Sequence, residues 1–384
     1  MKVNIIQKYH EVGIILMLLL SVVFQVEAQD LAGKRSTSFQ PGVIWPDNNG
    51  VHINAHGGGI LYQNKTYYWF GEHKIAGGAG NRAMVGVHCY SSKDLYNWKD
   101  EGIALSVSPD TTSDIAKGCI LERPKVIYNK KTKKYVMWFH LELLGKGYKA
   151  ARTGLAVSNK VNGPYRFIKS YRPNAGKMPF YPEGTPESEK VNCASPATKS
   201  DGFFCRDLPG GQMARDMNLF VDDDGKAYHV FSAEENFTLD IAELSDDYTS
   251  HTGKFVRVYA GHQTEAPAIF KHNGTYYMIG SGTTGWAPNP ARWFSAKSIW
   301  GPWTYHGNPC VGDGSQITFG GQSTYVLPVA GKKDAFIFMA DKWTPKDAID
   351  GRYLWLPITF KGDDIEIKWL DNWNLDFFND KRSK

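Results

Sequence analysis

One hairpin pattern recurs five times along this chain, and no other feature constrains its fold so tightly. Each copy has a polar or glycine opening, a short apolar strand, a turn and an aromatic strand. The copies are GGGILYQNKTYYWFGE from Gly57, ERPKVIYNKKTKKYVMWFH from Glu122 and RDMNLFVDDDGKAYHVFS from Arg215. EAPAIFKHNGTYYMIGS from Glu265 and QSTYVLPVAGKKDAFIFMAD from Gln322 complete the set. Asp224-Gly225 and Asn273-Gly274 mark hairpin turns, because these residues accept positive φ. A weaker strand pair follows each hairpin, so each unit supplies about four strands. Four-stranded units repeated radially make a β-propeller, and the count here predicts an all-β fold with five blades around a central channel. No long stretch has helical periodicity, and five matched double hairpins disfavour a pair of β-sandwiches.

The 384 residues are 42% hydrophobic and 22% charged, which excludes a disordered chain and a membrane bundle. Aromatics make up 14%, which suits both a β-rich fold and sugar binding. With 44 Lys and Arg against 39 Asp and Glu, and no basic run, nucleic acid is not an expected partner. Lys2 and Lys8 precede an apolar run from Val12 to Phe24 that ends near Ala28. This reads as a secretory leader over residues 1–28, too short to span a membrane comfortably. Residues 29–384 then form a single propeller domain, exported to the periplasm or secreted. No cysteine follows the cleavage point, so neither a lipid anchor nor membrane attachment is expected, and the mature protein is expected to be a monomer. Cys193 and Cys205 share a polar, Gly/Pro-rich insertion around residues 170–213 and are the best pair for a bridge. Cys89 and Cys119 read as buried thiols, and with no CxxC there is no case for zinc or redox chemistry.

A propeller turns the first strand of every blade toward the channel, so the five openings converge. They are His56/Gly57, Glu122, Asp216, Glu265 and Gln322. Carboxylates crowded in a poorly solvated pocket raise one another's pKa, and one then stays protonated to serve as a general acid. Glu265 is the best acid, because Ala266-Pro267 begins a rigid strand behind it. Asp216 is placed to raise its pKa and orient it, and Glu122 to bind substrate hydroxyls or water. Asp222, Asp223 and Asp224 read as turn residues only, and Glu234 and Glu235 as surface or pocket-rim residues. Trp286 is the first choice for a sugar-stacking face, whereas Tyr68, Trp69 and Trp138 read as core. No helix follows Gly57–Gly59, so the run is not a phosphate loop. It is read as letting the backbone approach a sugar, with His52, His56 and His73 gathered nearby. No cofactor is expected, and no spacing requires a central metal.

These residues resemble glycoside hydrolase family 43, whose members are five-bladed propellers, over essentially all of the mature chain. The resemblance implies that Glu265 in Glu265-Ala266-Pro267 is the acid and that Asp216 is its helper. The family's first-blade base Asp is missing, since the chain has Asn54-Ala55-His56-Gly57-Gly58-Gly59 there. INAHGGGILY, GCILERPKVIYN and GGQSTYVLP are similar to the branch that contains exo-β-1,3-galactanases. That likeness implies that Gln322 replaces the base as its imidic acid tautomer, with Glu122 contacting substrate or water. It implies inverting release of galactose from β-1,3-galactan, the backbone of arabinogalactan. α-L-Arabinofuranosidase and β-D-galactofuranosidase activities are the alternatives within the family. A non-catalytic glycan-binding propeller is the alternative from another class, motivated by the missing Asp.

Overall fold

The computed structural model describes residues 35–82 and 84–379; the expected leader, residues 1–28, lies outside them. Five sheets stand in a ring; four are antiparallel throughout and run outward in chain order from their first strand. The first blade is β1 (His56–Gln63), β2 (Thr66–Lys74), β3 (Met84–Ser92) and β4 (Lys99–Ser106). The second is β5 (Ile120–Asn129), β6 (Lys134–Glu142), β7 (Arg152–Ser158) and β8 (Arg166–Tyr171). The third is β9 (Met217–Val221), β10 (Ala227–Ala233), β11 (Thr238–Leu244) and β12 (His251–Val258). The fourth is β13 (Glu265–His272), β14 (Thr275–Ser281), β15 (Ala291–Ala296) and β16 (Thr304–Gly307). The fifth departs from the expected four strands. A short β17 (Cys310–Val311) pairs in parallel outside β21 (Asp364–Lys368), beyond β18 (Gln322–Pro328), β19 (Phe336–Lys342) and β20 (Arg352–Lys361).

The turns form as their residues dictate. Asn273 and Gly274 both take positive φ, 47° and 77°, the geometry that a two-residue hairpin needs. At Asp224-Gly225 the glycine supplies the positive φ, 83°, within a longer loop in which Gly225 N–H donates to Asp222 O at 2.9 Å.

The core is divided into five seams, one between each pair of neighbouring blades. Successive side chains on a strand point to opposite faces, so each blade feeds the seams on both sides of it. On β2, Tyr67 and Trp69 pack toward the fifth blade with Met339 and Trp355, while Phe70 packs toward the second with Leu121 and Phe139. The segments around Phe39 and Trp373 meet in the seam between the fifth and first blades, where these two residues exchange backbone hydrogen bonds of 2.7 and 3.1 Å. Trp69 and Trp138 are core residues, and Tyr68 packs at a seam's edge.

The insertion between β8 and β9 carries a helix, α1 (Lys199–Asp207), started by a capping box between Thr198 and Asp201. Phe204 and Val191 pack into the seam between the second and third blades. A Cys193–Cys205 disulfide staples the insertion, with Cα atoms 5.3 Å apart. Cys89, Cys119 and Cys310 are buried free thiols. Glu234 is neither at the surface nor at the pocket rim. It is fully buried, 2.7 Å from Arg257 Nε, and accepts from the hydroxyls of Ser200 and Thr238, which ties α1 to the third blade. Asp222 does more than turn the chain, since it accepts from Lys271 Nζ at 2.6 Å and Tyr276 Oη at 2.5 Å on the next blade.

Among the described residues no backbone ladder joins one blade to the next, and the inner strands are cross-linked by side chains at the axis. Lys125 Nζ on β5 donates to Gly57 O on β1 at 2.7 Å. Asn218 Nδ2 on β9 donates to Pro267 O on β13 and Thr324 O on β18, at 3.0 and 3.2 Å. Thr324 Oγ1 donates to Gly58 O at 2.8 Å, and Ser323 Oγ to Ala266 O at 2.6 Å. Position 59 must be glycine here, because a Cβ there would lie 2.4 Å from Lys125 Cδ. Burial and the charge of Arg123 lower the Lys125 ammonium to about 7, against the pull of Asp341, Glu72 and Asp216. Lys125→Ala leaves a buried carbonyl unpaired beside a cavity and is expected to cost about 2–4 kcal/mol. Urea unfolding tests this; a loss no larger than that at an exposed lysine would remove Lys125 from the axial cross-links.

Candidate active site

Every expected opening residue stands at the same end of its inner strand, and four of the five strands carry a β-bulge just behind it. The register slips by one residue between His56 and Gly59, Glu122 and Lys125, Glu265 and Ala268, and Ser323 and Tyr325. Bulges of this kind bend a strand end and re-aim its side chains. Three of them put the second residue at positive φ: Gly57 at 60°, Arg123 at 55° and Ala266 at 56°. For Arg123 and Ala266 this is a strained conformation that surrounding contacts must hold. Glu122, Asp216, Glu265 and Gln322 all line one cavity of about 420 Å³, with Glu72, Arg123, Tyr148, Trp286 and Trp343.

Arg123 organises the floor of that cavity. Its guanidinium lies 2.9 Å from Asp216 Oδ2 and donates to Gln322 Oε1 at 2.5 Å and to Ser323 O at 2.9 Å. The Trp343 indole N–H adds a second donor to Gln322 Oε1 at 3.2 Å. Gln322 Nε2 donates to Glu265 Oε1 at 2.8 Å and to Ser281 Oγ at 3.0 Å. The amide is thus satisfied at both ends as an ordinary amide. Arginine and tryptophan only donate, so an imidic hydroxyl at Oε1 would meet no acceptor in this orientation. Glu265 Oε2 accepts from Asn236 Nδ2 at 3.2 Å. Burial, then the charge of Asp216, push the Glu265 carboxyl up to about 8, against the opposing charge of Arg123 and the Gln322 hydrogen bond. Glu265 therefore carries its proton at neutral pH, as a general acid must.

Glu122 is in the opposite state. Burial pushes its carboxyl up, but the hydrogen bond and charge of His140, with Lys74 and Tyr148, outweigh burial and hold it at about 2. His140 lies between Glu122 and Glu142, 2.9 Å from each, and the two carboxylates raise it to about 9 despite its burial. Tyr148 donates to Glu122 Oε1 at 2.8 Å and accepts from Asn81 Nδ2 at 2.6 Å. Asn81 in turn accepts from Lys74 Nζ at 2.7 Å, and Lys74 lies 2.9 Å from Glu72 Oε2. One polar chain therefore runs round that wall of the cavity. Glu122, His140 and Asp216 offer ligand atoms within 4.8 Å of one another, the one such trio among the described residues. To ligate a metal through Nδ1, His140 would have to give up one proton and its contact with Glu122 while keeping Nε2–H on Glu142; as it stands, the ring is the ion-pair partner of both carboxylates.

Two expected contacts sit elsewhere. His56 is buried and does not line the cavity; it is stacked on Tyr353 at 5.3 Å and tilted against Trp343 at 5.5 Å, and burial and the charge of Lys74 lower it to about 3. Gly57 does not open the way to a sugar. Its N–H donates to Asp341 Oδ2 at 2.6 Å, and a Cβ on it would lie 2.2 Å from Glu72 Oε1. The space left by the missing side chain is filled by the Glu72 carboxylate. Neither His52 nor His73 lines the cavity. Trp286 does, 46% exposed and edge-on to Trp343 at 5.7 Å.

Sequence reasoning passed over Glu72, Arg123, His140, Ser281, Tyr148, Trp343 and Asp341. Four of these carried a signal. Glu72, His140, Ser281 and Asp341 end their repeats, and each is the cross-strand partner of its opening residue: His56, Glu122, Glu265 and Gln322. Tyr148 and Trp343 come from loops outside the repeat.

The family model for glycosyl hydrolases family 43 matches residues 187–362. Among solved structures, a GH43 β-1,3-galactosidase with galactodeoxynojirimycin is 54% identical with a TM-score of 0.82, covering 88% of this chain and 100% of that one. An exo-β-1,3-galactanase from Clostridium thermocellum is 33% identical with a TM-score of 0.72, covering 87% of this chain and 66% of that one. The exo-β-1,3-galactanase of Phanerochaete chrysosporium with β-1,3-galactotriose is 33% identical with a TM-score of 0.71, covering 88% and 68%. A β-D-galactofuranosidase of Aspergillus niger is 30% identical over 129 residues, which is 30% of this chain and 37% of that protein.

Asp216→Asn removes the negative neighbour that raises Glu265 and frees Arg123 to lower it further. The Glu265 carboxyl should then titrate roughly 1 pH unit lower or more, read by ¹³C NMR of labelled glutamate; an unmoved titration would take Asp216 out of that role.

Proposed function

The chain belongs to glycoside hydrolase family 43, and from that premise we propose that it removes galactose from the non-reducing end of β-1,3-linked galactan. The observation that carries this reading is the meeting of a protonated Glu265 with Gln322 in a cavity whose walls are built by loops of four blades. Asn81 and Tyr148 close one side, and Trp286 and Trp343 another, which suits a chain end rather than a chain middle. Similarity to a β-1,3-galactosidase at 54% identity and to an exo-β-1,3-galactanase at 33% supports the choice of sugar and linkage.

The reaction is a single displacement with inversion. Glu265 gives its proton to the glycosidic oxygen as the bond to the anomeric carbon breaks, while water attacks from the opposite face. Inverting pairs leave roughly 6.5–9.5 Å between their groups for that water, whereas Gln322 Nε2 and Glu265 Oε1 stand 2.8 Å apart. Productive binding therefore swings the Glu265 carboxyl toward the leaving oxygen and frees the amide to hold the water. As its imidic acid Gln322 takes the water's proton on Nε2 and releases the Oε1 hydrogen to solvent, which requires Arg123 and Trp343 to let go of Oε1, because neither can accept a hydroxyl hydrogen. Glu122, ionised and fixed by His140 and Tyr148, accepts from substrate hydroxyls, and Asp216 keeps the acid protonated. Export accords with the expected leader and with the Cys193–Cys205 disulfide, and places the enzyme where arabinogalactan is met outside the cytoplasm.

The partial likeness to a β-D-galactofuranosidase supports a second reading, furanoside cleavage. Galactose release from β-1,3-galactobiose, set against p-nitrophenyl galactofuranoside and arabinofuranoside, decides between them. Furanoside cleavage with no galactose from the disaccharide would overturn the first reading. Glu265→Gln should lower the rate roughly 10²–10⁴-fold while titration calorimetry still finds galactobiose bound. An unchanged rate would leave only a glycan-binding role. Gln322→Ala should be nearly inactive, and wild-type turnover in that variant would remove the amide from the mechanism.

A further inference from the structure

Tyr148 reaches Glu122 from the β6–β7 loop, residues 143–151, which belongs to no strand of the ring. Gly145, Gly147 and Ala151 all take positive φ there. The loop's own backbone bonds are few, Lys146 N–H to Leu143 O at 3.0 Å and Lys149 N–H to Lys146 O at 3.3 Å. Three successive carbonyls are capped from outside by guanidinium groups. Arg215 Nη2 donates to Tyr148 O at 2.9 Å, and Arg172 donates through Nη2 to Lys149 O and through Nε to Ala150 O, both at 2.8 Å.

These two arginines bracket the insertion, because Arg172 directly follows β8 and Arg215 stands just before β9. Each is held by a carboxylate. Asp207 Oδ1 lies 3.2 Å from Arg172 Nη1, and Glu235 Oε2 lies 2.8 Å from Arg215 Nη2. Arg206 on α1 joins the two acids, donating to Asp207 Oδ1 and Oδ2 at 2.9 and 2.8 Å and to Glu235 Oε1 at 3.2 Å. Three cations thus alternate with two anions in an arc whose ends both close on the loop that carries Tyr148. Planar guanidinium forks suit such a chain, since each serves two acceptors in fixed directions. The helix beneath it is itself fixed, by the Cys193–Cys205 bridge next to Arg206 and by Ser200, which donates to Glu234 beside Glu235. None of the five charged residues lines the cavity.

We propose that Arg172, Arg206 and Arg215 are positioning residues, through which the insertion holds Tyr148 against Glu122 and so sets how firmly the cavity binds a sugar. This rests on the reading of the cavity as galactan-cleaving, and it gives a role to a segment that never meets the substrate. A wall that binds hydroxyls acts on bound substrate and transition state alike, so loosening it raises KM and leaves kcat.

The test measures β-1,3-galactobiose hydrolysis in Arg172→Ala and Arg206→Ala, each alone and combined with Tyr148→Ala. Arg206 is 44% exposed, so its variant serves even if Arg172→Ala fails to fold. Each arginine variant should raise KM about three- to tenfold, the size of roughly one hydrogen bond lost on binding, with kcat within about twofold. In the Tyr148→Ala background neither should add more than about 1.5-fold, since the loop then has no side chain to place. Losses that add in full mark a merely structural role and overturn the proposal, as does a wild-type KM in Arg206→Ala. Hydrogen exchange gives a readout independent of turnover. The Ala151 N–H, which donates to Glu142 Oε2 at 2.8 Å, should exchange at least about fivefold faster in Arg206→Ala while β13 is unchanged. Equal exchange at Ala151 overturns the clasp even in an active enzyme. Faster exchange in a protein whose wild type releases no galactose refutes the hydrolytic reading and upholds the clasp.

Discussion

The Arg123 guanidinium is the interaction on which the rest of the site depends. It starts from the second blade, pairs with Asp216 of the third, and holds both the side chain of Gln322 and the backbone of Ser323 on the fifth. The backbone N–H of the same residue donates to Glu72 of the first blade at 3.0 Å. Sheets in a ring share no backbone ladder, so bridges of this kind, with the apolar seams behind them and single backbone bonds such as Tyr165 N–H to Ala104 O, hold the blades to one another. The same cation sets electrostatics as well as geometry, by tempering the rise that Asp216 imposes on Glu265 and by fixing which end of the Gln322 amide faces the acid. A residue so tied can also hold a positive φ, which fits the view that strain survives where neighbours over-determine it.

Two buried carboxyl groups at opposite extremes show how one cavity gives different protonation states to the same chemistry. Glu122 is pinned between a cationic His140 and the Tyr148 hydroxyl, whereas Glu265 meets a negative neighbour and an amide. Burial raises both, and the sign of the partners decides the outcome. The polar chain from Glu72 through Lys74, Asn81 and Tyr148 to Glu122 joins the first two blades around the wall.

The fold was legible because a propeller repeats itself, and the repeat also located Glu122, Asp216, Glu265 and Gln322, which open equivalent strands. The cross-strand partners were present in the same repeats, but a polar residue at a strand end looks like an ordinary boundary until register is known. A bulge cannot be read from alternation either, because one extra residue shifts the phase only locally. Tyr148 and Trp343 come from loops that obey no repeat. Gly57 was located but misread, since a glycine announces that something comes close without saying what. Glu234 reads in the sequence as a surface or pocket-rim residue because it ends a strand that runs outward; its partners Arg257 and Ser200 are remote in sequence.

The close approach of Glu72 to Gly57 also couples two positions to each other. With the Glu72 oxygen 2.2 Å from where a Cβ would sit, an acid at position 57 collides with the acid already standing in that space. Making room needs Glu72 to be shortened at the same moment, and Lys74 and the Arg123 N–H then lose their acceptor. Neither position can therefore change alone without a collision or an unmatched cation inside the protein.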